Sequence, residues 1–111
     1  MSLVRAASPR DVAAWLLGRR VRVRVAGPSM EPALPDGSTV LVKPGGAPQP
    51  QDIVLVEHPM QADLRILKRV DHITDDGRIF LRGDGTVSTD SRDFGAVPPE
   101  RVLGRVVCTL P

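Results

Sequence analysis

The spacing of apolar residues along the chain predicts a mostly β protein. Residues 20–25 alternate strictly between arginine and valine, which is the period of a strand with one apolar face. Further strand-like runs follow at residues 38–42, 52–57, 64–72, 78–82 and 101–108. The run at 52–57 is apolar without alternation, so this strand is expected to be covered on both faces. We therefore expect a single domain of compact antiparallel or mixed sheets.

One short helix is predicted at the N-terminus. Ser8 has the character of an N-cap, Pro9 suits the first helical position, Asp11 falls in the first turn, and Gly18 ends the pattern. We divide the chain into this helical segment, residues 1–19, and a β domain, residues 20–111. The segment lacks the roughly 20 consecutive apolar residues of a transmembrane anchor. A cytoplasmic protein is therefore expected, and a peripheral contact of the helix with a partner or a membrane surface is left open.

The composition of the chain limits the kinds of core, partner and metal site that it can form. The chain has 111 residues, of which 41% are hydrophobic and 3% aromatic, so one core of aliphatic side chains is expected. The net charge of +2 and the valines between the arginines argue against nucleic acid as a partner. Cys108 is in phase with Val102 and Val106, which predicts a buried, inert thiol. His58, His72 and Cys108 have no metal-site spacing, and we predict no metal and no cofactor.

A serine lies on a stiff bend between the first two predicted strands. Gly27 can adopt backbone torsions that other residues avoid, and Pro28 fixes its own, so the hydroxyl of Ser29 is presented by a rigid corner. Pro32 and Pro35 then prevent a helix. A serine in this position is either a hydrogen-bonding turn residue or a nucleophile.

A nucleophilic serine needs a base, and Lys68 is the candidate that the strand pattern favours. In the strand at 64–72, Lys68 falls on the face that carries the apolar residues. A lysine in water has a pKa of about 10.4, but burial lowers this pKa and makes the neutral amine available. The alternative is a lysine whose stem covers apolar surface. His72 shares the same predicted face and is interpreted as structural.

Residues 81–95 form the third segment of interest. They are rich in Gly, Asp, Ser and Thr, whose short side chains bond backbone groups and favour an ordered turn or loop. Such a loop can orient a lysine. The alternative interpretation is a hydrophilic connector.

Together, residues 27–34, 67–70, 83–84 and 88–95 resemble, in order and spacing, the motif series of the signal peptidase I family. Members of that family use a serine/lysine dyad. The resemblance runs from about residue 23 to residue 109, and it implies a signal-peptidase-like β fold. It further implies that Ser29 is the nucleophile, that Lys68 is the general base, and that Ser88 orients the lysine. Asp90 and Arg92 match a structural pair of the family.

The resemblance also implies an oxyanion and substrate-binding segment at Gly27, Ser29 and Met30, in which the Ser29 amide is one donor. Gly27 stands where some members carry a hydroxyl residue as the second donor, so that donor is absent or replaced here. Gly85 stands where an asparagine is frequent.

The implied reaction is the hydrolysis of one peptide bond in a precursor protein or peptide. As a short chain without an anchor, the protein most resembles, within this family, the soluble nickel-type superoxide dismutase maturation proteases, which remove an N-terminal extension. Two alternatives stay open. One is a repressor-type self-cleaving Ser/Lys domain, although the roughly 20 residues before the first strand are too few for a DNA-binding domain. The other is a catalytically silent β module that binds an extended peptide.

Overall fold

The computed structural model describes residues 4–85 and 89–110, and six strands of this part form one sheet. The sheet order is β1-β2-β6-β3-β4-β5, and neighbouring strands are antiparallel. The strands are β1 (Val21–Arg24), β2 (Thr39–Pro44), β3 (Ile53–Glu57), β4 (Arg65–Ile73), β5 (Ile79–Arg82) and β6 (Val102–Leu110). The predicted mostly β fold class is confirmed.

The first helix, α1 (Pro9–Leu16), begins where the sequence predicts. Ser8 is its N-cap, and the Asp11 side chain completes the capping box by accepting from the Ser8 amide at 2.7 Å. Asp11 also pairs with the Arg5 guanidinium at 2.6 Å. None of the helices in the described part of the chain is both long and apolar enough to cross a membrane.

Two short helical turns fall in segments for which the sequence predicts no helix. They are α2 (Ser91–Phe94) and a 3-10 helix (Pro99–Arg101). Asp90 caps α2, because its side chain accepts from the Arg92 amide. A four-residue helix shows less than two turns of apolar periodicity, so the pattern of residues 81–95 could not reveal it.

Apolar side chains cover β3 on both faces, as predicted. Ile53 and Leu55 belong to one buried cluster, and Val54 and Val56 belong to another. The first cluster also contains Val25, Met30, Ala33, Leu34, Val40, Val42 and Leu67. The second is completed by Val70, Ile79, Leu81 and Val97. The segment after Ser29 thus contributes to the first core, which anchors the serine bend to the sheet.

A bulge in the pairing of β4 with β5 changes the orientation of His72. The register shifts between Val70 and His72, and a bulge re-aims the side chains that follow it. The His72 side chain is 52% exposed, bonds to Asp71 at 2.7 Å and stacks on Phe80. The expectation that His72 shares the buried face of Lys68 is therefore wrong.

Cys108 is fully buried in β6, as predicted. Burial raises the pKa of its thiol, so little thiolate forms near neutral pH.

Candidate active site

A cleft of about 470 Å³ opens between β1 and the first half of β4. The strand β1 pairs with β2 alone, and β5 pairs with β4 only from Arg69 onward. Both walls of the cleft therefore present a strand edge that no other described strand covers. Ser29 and Lys68 both line this cleft.

The serine bend is held from both sides. Gly27 has φ +88°, a conformation that favours glycine, and its amide donates to Asp36 Oδ1 at 2.9 Å. On the other side, the Met30 side chain is 1% exposed, and the Leu34 amide donates to the Met30 carbonyl at 2.8 Å. Ser29 lies between these two fixed points and is itself partly buried.

Lys68 is buried, with 4% of its surface exposed. None of the ion pairs among the described residues involves its ammonium. Burial lowers the pKa of Lys68; the carboxylates of Asp90 and Asp93 oppose this shift, and the Arg92 guanidinium adds to it. A larger fraction of Lys68 is therefore neutral at a given pH than of a lysine surrounded by water.

The residue next to the lysine, Arg69, forms a buried ion pair with Asp84. The two side chains are 7% and 5% exposed, and the guanidinium donates to the carboxylate through Nε at 2.8 Å and Nη2 at 2.7 Å. Its Nη1 donates to the Gln51 carbonyl at 2.7 Å. The sequence pattern does not reveal this pair, because its partners are separated by fifteen positions and Asp84 lies in a loop.

Gly85 joins this ion-paired loop to the serine bend. Its amide donates to the Ser29 carbonyl at 2.7 Å. A Cβ at this position would lie 2.7 Å from the Pro28 carbonyl oxygen, closer than real Cβ contacts, so the approach requires glycine. The loop that binds Arg69 through Asp84 thus also holds the backbone of the serine, and it connects the two walls of the cleft.

Asp90 and Arg92 stabilise the same loop through hydrogen bonds next to Gly83. Asp90 is fully buried; its Oδ2 accepts from the Gly83 amide at 2.9 Å and from Arg92 Nη2 at 2.7 Å. Burial alone would raise the pKa of Asp90. Hydrogen bonds from the Arg92 guanidinium and from the Gly83 and Arg92 amides outweigh it and hold this pKa well below its usual 3.8.

The structure brings some of the sequence-predicted site residues together. Those that line the cleft are Ser29, Met30 and Lys68. Those that do not line it are Gly27, Asp90 and Arg92. Ser88 lies outside the described residues. Within the described part, no group of three His, Cys, Asp or Glu side chains is arranged to hold a metal ion.

The amides of the serine bend differ in what they bond. The Gly27 amide is engaged by Asp36, whereas the Ser29 and Met30 amides donate to no other described residue. The Ser29 and Met30 amides are thus two backbone donors that form no hydrogen bond with the other described residues.

The sequence model of the Peptidase S24-like family matches residues 15–107. This match spans most of the 111 residues, and the chain belongs to the Peptidase S24-like family. The cleft with its serine and buried lysine thus lies in an S24-type Ser/Lys peptidase-like domain. No curated protein matches the chain.

We predict that Lys68 titrates below the ordinary lysine value of 10.5, because burial disfavours its charged form. In a Lys43→Arg variant Lys68 is the one lysine left, so its ¹³Cε signal can be followed by NMR as pH rises without assignment. The midpoint should fall below 10.5. A midpoint at or above that value would show that the ammonium is stabilised in the fold.

We expect Gly85→Ala to displace the serine bend, because the added methyl group collides with the Pro28 carbonyl. Overpacking of this kind costs about 1–3 kcal/mol of the free energy of unfolding. The amide signals of Ser29 and Met30 should shift in an NMR spectrum. Gly77→Ala is the matched control: it strains a positive φ in the hairpin turn, where a Cβ meets nothing within 4 Å. If Gly85→Ala left those amide signals in place, the contact would not position the serine.

Proposed function

We propose that the protein is a serine endopeptidase in which Ser29 is the nucleophile and Lys68 is its general base. The observation that carries the proposal is that Ser29 and the buried Lys68 line the same cleft. Neutral Lys68 accepts the proton of Ser29 Oγ as this oxygen attacks the substrate carbonyl. It then gives the proton to the leaving amine, and water hydrolyses the acyl-enzyme.

The oxyanion of the tetrahedral intermediate needs donors that point at the developing charge. We assign this role to the amides of Ser29 and Met30, which donate to no other described residue. Gly27 supports the bend through its bond to Asp36 instead of supplying the missing second donor. Ser88 is retained as the predicted lysine-orienting residue, with Asp90 and Arg92 as the pair that holds its loop.

The substrate is proposed to bind as an extended strand between β1 and β4. Each wall has an uncovered strand edge, and an extended peptide can hydrogen-bond to such an edge. A signal-peptidase-I-like enzyme of the cytoplasm that trims an N-terminal extension fits this geometry, and the precursor of a nickel-type superoxide dismutase is the candidate substrate.

Family membership supports the repressor-type self-cleaving domain as the second candidate, because the S24-like match makes no distinction between cleavage in cis and in trans. The silent peptide-binding module is less favoured, since binding alone does not require a buried lysine in the same cleft as a serine.

We expect Ser29→Ala and Lys68→Ala each to lower the cleavage of a nickel-type superoxide dismutase precursor by about a thousandfold or more, because each removes one half of the dyad. Lys43→Ala, which removes the lysine outside the cleft, should cleave at the wild-type rate. Mass spectrometry of the new N-terminus measures the product. Full activity in Lys68→Ala would rule out the dyad.

The same samples separate the two modes of cleavage. In the proposed mode the precursor is shortened while the enzyme keeps its mass of 12.0 kDa. An intact precursor beside an enzyme that shortens itself, at a rate independent of its concentration, would instead establish the self-cleaving domain.

A further inference from the structure

Three arginine side chains line the cleft from opposite walls. Arg22 and Arg24 belong to β1, and Arg65 begins β4. With Lys68 they make four basic residues, whereas no aspartate or glutamate is among the described residues that line the cleft. The wall charges thus have one sign on both sides of the place where an extended peptide would lie.

No carboxylate among the described residues forms an ion pair with these three guanidinium groups. Each of the three residues is exposed, and none takes part in an ion pair among the described residues. Arg65 lies across from Glu57 in the sheet without forming one. In contrast to these three arginines, five others form an ion pair with an aspartate: Arg5, Arg69, Arg78, Arg82 and Arg92.

Two of the cleft arginines are also held in place by their surroundings. The Arg22 guanidinium lies over the Trp15 ring, 5.9 Å from its centre, in a cation–π arrangement. Arg24 Nη2 lies 3.9 Å from the position that a Cβ on Gly37 would occupy, so it rests against a turn that has no side chain there. Arg22 and Arg24 therefore each have a neighbour that restricts the guanidinium group.

The rest of the lining indicates what kind of anion fits. It is mainly aliphatic and includes Val21, Val23, Leu55, Leu64, Ile66 and Leu67. No aromatic side chain that could stack on a base is among the described lining residues, which disfavours nucleic acid. Uncovered strand edges complement a peptide backbone.

We propose that the cleft selects extended peptides in which small or aliphatic side chains alternate with carboxylates, and that Arg22, Arg24 and Arg65 are the residues that recognise these carboxylates. This inference rests on the proposed function and specifies its substrate class. Complementary charge of this kind contributes to specificity and to the association rate more than to affinity. Each exposed pair is expected to change affinity by about threefold, so two carboxylates together give about tenfold.

Binding to a Ser29→Ala variant tests the inference without requiring catalysis. The probes are the blocked peptide Ala-Glu-Ala-Glu-Ala-Ala and its twin with glutamine in place of glutamate, titrated into ¹⁵N-labelled protein by NMR. The glutamate peptide should shift the amides of β1 and of residues 65–68. It should bind about tenfold more tightly than the glutamine peptide at about 50 mM salt, with the difference falling to about twofold near 500 mM.

Charge-removing variants identify the responsible residues. Arg22→Gln, Arg24→Gln and Arg65→Gln should each weaken the glutamate peptide about twofold and leave the glutamine peptide unchanged. Arg105→Gln removes the same charge from outside the cleft and should leave both affinities unchanged.

Several results would overturn the inference: equal affinity for the two peptides, no effect of the three variants, no binding at millimolar concentration, or tighter binding of a hexathymidylate oligonucleotide in the cleft. Its failure is distinguishable from failure of the proposed function. Ser29-dependent cleavage without a preference for acidic peptides would refute only the recognition by arginine. Selective binding of the glutamate peptide by a chain that never cleaves would refute only the peptidase.

Discussion

The buried ion pair between Arg69 and Asp84 is the interaction on which the geometry of the site depends. Withdrawing two charges from water is costly, and the bidentate contact offsets this cost only while both partners are present. Removing one partner of such a pair typically costs about 3–5 kcal/mol. Arg69 adjoins Lys68 in the strand, and Asp84 adjoins Gly85, which bonds to the Ser29 carbonyl. This ion pair therefore links β4, which carries Lys68, to the bend that carries Ser29.

Much of this arrangement could be predicted from the sequence, because it follows from local rules. Alternation of apolar residues located the strands, and the N-cap at Ser8 located α1. The combination of Gly27 with Pro28 indicated the bend, and the position of Lys68 within its strand indicated burial, which the structure gives as 4% exposure. The order of the motifs resembled signal peptidase I, whereas the family match is to the S24-like peptidases. The Ser/Lys chemistry that this resemblance implies is also used by repressor-type domains.

The features that were not predicted depend on contacts between distant parts of the chain. No spacing rule pairs Arg69 with Asp84 or Asp36 with the Gly27 amide, because each contact exists only once the sheet has formed. The same limit explains the error at His72. A strand pattern assumes an unbroken two-residue period. The bulge after Val70 interrupts that period, and no residue type at this point of the sequence indicates it.

The most direct test of the Ser29–Lys68 dyad is the pH dependence of the reaction between Ser29 and p-nitrophenyl acetate, a small activated ester that requires no knowledge of the substrate. We expect acetylation at Ser29, located by mass spectrometry of the digested protein. The rate should rise with pH through an inflection that coincides with the NMR titration midpoint of Lys68, because the neutral amine is the base. It should be lost in Lys68→Met. Acetylation elsewhere, or an unchanged rate in Lys68→Met, would contradict the claim that the cleft joins these two residues in one catalytic site.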